Sequence, residues 1–247
     1  MFQFFKKSSQ PVPDLSGLVC DMHSHLIPGI DDGSPDMETS IQLIRALVDL
    51  GYKKIITTPH IFSDLYPNTP AIIGAGHKAV LAEIARQQIP VEFLAAAEYM
   101  MDDQFTAMLE EGKPLLTLKD KMVLVELSFA VPSINLKEIL FTLQLKGYQP
   151  VLAHPERYLY FSVSKDWYDR LKDLGCLLQL NLLSLTGYYG KGPQELAQYL
   201  IKKKYVDILG TDLHHDRHLE QLQSPRIAKE VARLLDTGMI RNAELLG

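Results

Sequence analysis

The sequence predicts an α/β chain closed, or nearly closed, into a distorted barrel of seven parallel strands. Three observations predict it. Short runs rich in Val, Ile and Leu alternate along the chain with segments of helical spacing, and the runs are too short for amphipathic helices. Seven such runs occur, and crossover helices between them imply parallel strands buried on both faces. The ionisable residues that end these runs are spread over nearly all of them, whereas an open doubly wound sheet gathers its ligand groups at one switch point.

The first strand is read in GLVCDMH, ending at His23, with His25 two residues further on. Ser34 is a suitable cap and Pro35 a suitable first residue for the next helix, which carries Ile41, Ile44, Ala46, Leu47 and Val48 before Gly51 ends it. KKIITTPH forms the second strand and ends at His60, and a helix follows from Pro70. VEFLAAAEY delivers Glu98 and MVLVELS delivers Glu126, with a helix near Ser133. QPVLAHPER presents His154 before a helix near Lys165. CLLQLNLLS brings Asn181, a weaker candidate, before a helix near Pro193. VDILGTDLHH ends in Asp212 and His214, and the last helix starts near Leu219. Residues 1–17 read as a flexible or loosely docked lead-in, and residues 18–247 as a single barrel domain.

Composition narrows the function classes. A hydrophobic share of 47% with 22% charged residues suits a soluble globular chain, and no apolar run approaches the roughly 20 residues of a membrane span. The opening MFQFFKKSSQPVPDLSG lacks the apolar core and cleavage site of a secretory signal. Cys20 and Cys176 fall in no paired motif, so no disulfide framework or thiolate zinc site is expected and the address is cytoplasmic. A net charge of −5 argues against nucleic acid as a partner, and the one basic run, IKKKY, suits the end of a helix.

Six of the seven strands end in a metal-competent side chain, at the rim where α/β barrels build active sites. Alternation along a strand puts residues i and i+2 on one face, so His23 with His25, and Asp212 with His214, can each serve one site. Buried carboxylates such as Glu98 and Glu126 need a cation or dense hydrogen bonding. The donors are all imidazole nitrogen and carboxylate oxygen, which suits Mn²⁺, preferred here, or Fe²⁺ or Zn²⁺. They are too many for one ion. Two or three ions sharing carboxylates is the natural arrangement, and it serves hydrolysis of phosphate esters.

DMHSH, TTPH, AAEY, VELS, AHPER and GTDLHH together resemble the polymerase and histidinol phosphatase (PHP) superfamily, and HSHLIPGIDDG with HPER resembles its bacterial manganese-dependent protein tyrosine phosphatases of capsular and exopolysaccharide operons. The resemblance runs from Val19 to His214. It implies the TIM-like, seven-stranded PHP barrel and a three-metal centre. His23, His25, Glu98 and Asp212 would hold one ion, Glu98, Glu126 and His154 a second, and His60 with His214 a third, with Asp32 as a further ligand or as the acid of the reaction. Arg157 would bind the phosphoryl group, and Asp31 would be a loop residue. The implied mechanism is attack of a metal-bridging hydroxide on phosphorus without a phosphoenzyme. Leu26 and Leu182 stand where a Cys-x5-Arg phosphatase would have its arginine, so a cysteine nucleophile is excluded.

The resemblance further implies a phosphotyrosine protein as partner, typically an autophosphorylated bacterial tyrosine kinase. Rim loops 61–70 and 184–192, with Tyr188 and Tyr189, are candidates to contact it, and His215 and His218 are expected to support the site or lie at the surface. Two other functions stay open. One is a small-molecule phosphatase of the histidinol phosphatase type; an amidohydrolase fits less well, since many use a modified lysine where this chain has Glu126. The other is a catalytically silent regulatory PHP module.

Overall fold

A computed structural model describes residues 13–246. Its strands are β1 (Cys20–Asp21), β2 (Lys54–Thr57), β3 (His60–Ile61), β4 (Glu92–Ala95), β5 (Glu98–Met100), β6 (Met122–Glu126), β7 (Gln149–Ala153), β8 (Leu177–Asn181) and β9 (Ile208–Gly210). Every pairing is parallel, in one sheet ordered β1-β2-β4 and another ordered β3-β5-β6-β7-β8-β9.

These nine pieces make seven staves. The runs KKIITTPH and VEFLAAAEY each break once, into β2 with β3 and β4 with β5. The break falls at Pro59, which has no N–H to donate, and at Ala96 and Ala97 beside it. Backbone bonds bridge the gap, with Ala96 N–H donating to Thr57 O at 2.9 Å and Glu98 N–H to Pro59 O at 3.1 Å. The ring closes beyond β1 and β9, where Ser24 bridges Leu213, His25 N–H donates to Leu213 O at 2.9 Å and Asp212 N–H to His23 O at 2.8 Å. A single bridge stands there in place of a full ladder.

The helices are α1 (Met37–Asp49), α2 (Pro70–Arg86), α3 (Asp103–Glu110), α4 (Leu136–Leu145), α5 (Asp166–Asp173), α6 (Lys191–Lys203), α7 (Asp216–Leu222) and α8 (Pro225–Leu235). Three departures from expectation concern them. Asp36, not Ser34, caps α1 through Thr39 N–H at 2.8 Å, because the Ser34 backbone is already bonded to His25 O and Gly29 N–H. The unanticipated α3 has only Phe105 and Leu109 buried, too few apolar positions to show a period. The helix expected from Leu219 becomes α7 and α8, restarted by Ser224 as cap and Pro225 as first residue.

Cys20, Met22, Ile56, Leu124, Val151, Ala153 and Ile208 fill the barrel interior, while a second, larger apolar layer packs the helices onto the staves. Inward positions toward the carboxyl ends are therefore the ones left for polar groups. The expected lead-in falls partly outside the described residues. Residues 13–17 are not loose, since Leu15 is fully buried and its N–H donates to Leu50 O at 2.8 Å.

Candidate metal centre

Register brings the carboxylates together. His60 pairs with Glu98 across β3 and β5, so their side chains leave the sheet side by side on one face. Glu126 lies two residues beyond Leu124, the partner of Glu98, and shares that face. His154 and Asp212 follow their strands in left-handed backbone, at φ +34° and +51°. Non-glycine residues rarely adopt that conformation, and here it turns both side chains into the mouth. Gly33 returns its loop so closely to His25 that a Cβ would stand 2.2 Å from the His25 carbonyl oxygen.

Glu98, fully buried, is the hub. Its Oε1 lies 3.0 Å from His154 Nε2, and its Oε2 lies 3.1 Å from His23 Nε2, 3.3 Å from His60 Nδ1 and 3.4 Å from His25 Nε2. Glu126 Oε1 is 2.8 Å from His60 Nδ1. Asp212 Oδ1 faces His23 Nε2 at 3.3 Å, His214 Nδ1 at 3.4 Å and His25 Nε2 at 3.5 Å. Asp32 Oδ1 sits 3.5 Å from His60 Nε2 and 3.6 Å from His214 Nε2.

A layer behind these groups sets their orientation. The Nδ1–H of His23 donates to Gln179 Oε1 at 2.8 Å, that of His25 to Asp31 Oδ2 at 2.9 Å, and Gln179 Nε2 donates to Asn181 Oδ1 at 2.8 Å. Asn181 Nδ2 and Arg157 Nη1 then donate to Asp212 Oδ2 at 2.7 and 2.8 Å. With both Nδ1 atoms engaged as donors, the Nε2 atoms of His23 and His25 face each other 3.3 Å apart among carboxylate oxygens, open to a proton or a metal ion. His60 Nδ1 is buried with no hydrogen-bond partner despite its nearness to Glu126. Acceptors converging on acceptors need cations between them, and this donor set fits hard or borderline divalent ions.

The titration behaviour agrees. Burial works against a charged His60, yet the Glu98 and Glu126 carboxylates hold its pKa up at about 9. Burial likewise opposes charge on His23 and His25, which their carboxylate neighbours overcome in both. Against the same burial, imidazoles hold Glu98 and Asp212 well below the usual carboxylate range. Burial takes His154 down to about 4, leaving it neutral as a ligand must be. Protons thus balance the carboxylates, and an ion entering the centre displaces them. Since His60 titrates above neutrality, apparent Mn²⁺ affinity is expected to rise about tenfold per pH unit between pH 6 and 8 for each proton released. Calorimetry in two buffers of different protonation heat measures that release; a pH-independent affinity would contradict it.

The structure brings all eight expected metal ligands, with Asp32 and Arg157, around one mouth. Four groupings have donor atoms close enough to share an ion: His23, His25 and Glu98; His60, Glu98 and Glu126; His23, His154 and Asp212; and His25, Asp32, His60 and His214. His154 thus clusters with His23 and Asp212, where Glu126 was expected beside it, and His60 stands between two groupings. Asp31 is no bystander in its loop. Its side chain is buried, binds His25, and accepts from the backbone N–H of His60 at 3.2 Å and of Gly33 at 3.0 Å.

Arg157 pairs with Asp212 and not with its neighbour Glu156, and its guanidinium lies 4.6 Å from the Phe129 ring centroid and 4.3 Å from that of Tyr189. The buried Glu156 instead holds Ser184 Oγ at 2.6 Å and Asn181 N–H at 3.1 Å. Sequence reasoning missed Gln179 and Phe129, which no motif marks. His218 lines the mouth with Nδ1 3.0 Å from Asp212 O, and His215 caps α7. The cavity at the mouth is about 370 Å³. A larger one of about 700 Å³ lies outside, between α1 and α2, and holds none of these groups.

Residues 19–239 match the model of the family described as capsular polysaccharide synthesis, CpsB/CapC. The chain belongs to the CpsB/CapC family. Among its relatives, the tyrosine-protein phosphatase YwqE of Bacillus subtilis is 30% identical over 230 residues, 92% of this chain and 90% of that one. The tyrosine-protein phosphatase CpsB of Streptococcus agalactiae is 25% identical over 201 residues, 79% of this chain and 82% of that one. A solved structure from work on YwqE of Bacillus subtilis and CpsB of Streptococcus pneumoniae, described as unique metal-dependent tyrosine phosphatases, superposes with a TM-score of 0.78 at 28% identity, covering 92% of this chain and 89% of that one. The lactonase Lmo2620 of Listeria monocytogenes shares the fold alone, with a TM-score of 0.56 at 12% identity over 94% of this chain and 92% of its own. In this CpsB/CapC chain, no helix among the described residues is long and apolar enough to cross a membrane.

Proposed function

We propose that the chain is a metal-dependent protein tyrosine phosphatase whose substrate is a bacterial tyrosine kinase regulating capsular or exopolysaccharide synthesis. The observation that carries this reading is Arg157, its guanidinium within 4.6 Å of the Phe129 ring centroid and 4.3 Å of that of Tyr189 at the edge of a cluster of imidazoles and carboxylates. Such a guanidinium suits bidentate contact with phosphoryl oxygens, and the flanking rings suit an aromatic leaving group. The family description and the names of the relatives support the substrate class.

On this reading His23, His25, His60, Glu98, Glu126, His154, Asp212 and His214 hold two or three ions, Mn²⁺ before Fe²⁺ or Zn²⁺. Bound there, the ions supply Lewis acidity and balance the phosphate dianion. Glu98 and Asp212 hold the imidazoles in place, and Gln179 and Asp31 fix the tautomers of His23 and His25. Arg157, whose only side-chain acceptor among the described residues is Asp212, turns its remaining N–H groups to the phosphoryl oxygens. Asp32 acts first as a carboxylate. Burial favours its neutral form, but His214 and His60 hold its pKa well below the usual range. Water bound at the centre would lose its proton to solvent, and Asp32, half-exposed at the mouth, relays a proton from solvent to the tyrosyl oxygen as the ester bond breaks. Cys20 and Cys176 take no part. Both are free and buried, burial lifts the Cys176 thiol to about 12, and such thiols fit a cytoplasmic address.

The test is hydrolysis of a phosphotyrosine peptide beside histidinol phosphate by Mn²⁺-loaded protein. Preference for the peptide is expected. Preference for histidinol phosphate would move the chain to small-molecule substrates with the same centre, and inactivity on both would favour a regulatory module.

A further inference from the structure

The barrel mouth has two unlike halves. Above β6, β7 and β8, loops 127–135, 158–165 and 182–192 contain no Asp or Glu. They expose large apolar side chains instead, with Phe129 48%, Leu159 49%, Val163 90% and Tyr188 38% accessible. Just beyond them Asp166 is exposed at the start of α5, whereas the opposite half exposes Asp36, Asp64 and Asp103 and, among large apolar residues near the rim, Leu65 and Ile72.

The apolar half is one surface and not scattered residues. Tyr160 Oη donates to Ser128 O at 3.0 Å, tying the first two loops. Leu159 packs so tightly on Gly192 that a Cβ there would stand 2.9 Å from Leu159 Cδ2, tying the second to the start of α6. Phe129 belongs both to this surface and to the cavity wall against Arg157. The surface therefore starts at the residue assigned to phosphate and runs outward from it. Exposed apolar area of this kind marks a contact site.

We propose that this half of the mouth receives the polypeptide on either side of the phosphotyrosine and selects segments with apolar side chains next to that residue. The inference rests on the phosphatase reading above. The charge contrast runs the same way: a phosphorylated segment is anionic, this side exposes Lys165 beside Asp166 and Lys191 paired with Glu195 at 3.5 Å, and the other half exposes carboxylates at Asp36, Asp64 and Asp103. Leu159, Val163 and Tyr188 touch the flanking residues and not the phosphoryl group, so their contribution appears in peptide binding.

The test compares three substrates on Mn²⁺-loaded full-length protein: a phosphotyrosine peptide with Leu on both sides, the same peptide with Ser there, and p-nitrophenyl phosphate. The wild type is expected to favour the Leu peptide by about tenfold in kcat/KM, chiefly through KM, as burial of about a quarter to a half of the surface of two such side chains implies. A Leu159→Ser, Val163→Ser variant is expected to lose that preference while hydrolysing p-nitrophenyl phosphate as before. Equal turnover of the two peptides by the wild type overturns the inference without using any variant. So does a variant that slows all three substrates alike, or one that converts a dimer to a monomer with peptide turnover unchanged, which would give the face to a second copy of the chain. Turnover of p-nitrophenyl phosphate with neither peptide cleaved removes the protein phosphatase reading itself, and this inference with it.

Discussion

Glu98→Gln is expected to lower phosphate release by about a thousandfold or more and to strip most of the metal from the purified protein. The change keeps shape and removes charge. In the wild type two oxygens of one fully buried carboxylate stand within 3.0–3.4 Å of the rings of His23, His25, His60 and His154. A glutamine there points N–H donors at imidazoles and leaves the ions short of a shared anion. Removing one member of a buried charge cluster costs roughly 3–5 kcal/mol, a factor of about 10²–10⁴ in an equilibrium, and the loss of metal that follows is the source of the expected fall in turnover. Metal analysis and turnover on the same preparation measure both effects. Full metal content with near-normal turnover would remove Glu98 from the centre.

Arg157→Ala separates phosphate binding from metal binding. It should lower kcat/KM on a phosphotyrosine peptide by about 10²–10³, the range for losing one donor aimed at developing oxyanion charge. Metal content should stay at the wild-type level, because Arg157 offers no donor atom to an ion and Asp212 keeps its bond from Asn181. Lysine should rescue poorly, since it brings charge without the planar fork that lies between Phe129 and Tyr189. Turnover left intact by Arg157→Ala would end its assignment to phosphate.

What the sequence made legible was set by chain geometry. Residues that end successive strands of a barrel share one rim, so His23, His60, Glu98, Glu126, His154 and Asp212 could be placed together before any coordinates. Which of them face each other could not, because that depends on register and on the left-handed turns at His154 and Asp212, which no local signal announces. Asp31 shows the same limit. Two adjacent aspartates look interchangeable in sequence, and only the return of the loop at Gly33 sends one behind His25 and the other toward His60 and His214. Gln179 sits within an apolar strand and reads as core until β8 is seen to turn it toward His23. The divided staves escaped for a related reason, since a break at Pro59 leaves the apolar run intact.

The central claim is that this cluster hydrolyses phosphotyrosine through more than one bound ion. Its most direct test is phosphate release from a phosphotyrosine peptide by metal-stripped protein as Mn²⁺ is titrated back, with bound Mn²⁺ counted in parallel. No release is expected without metal, and full release only when more than one ion is bound per chain. Release in excess chelator, or full activity with a single ion bound, would contradict it.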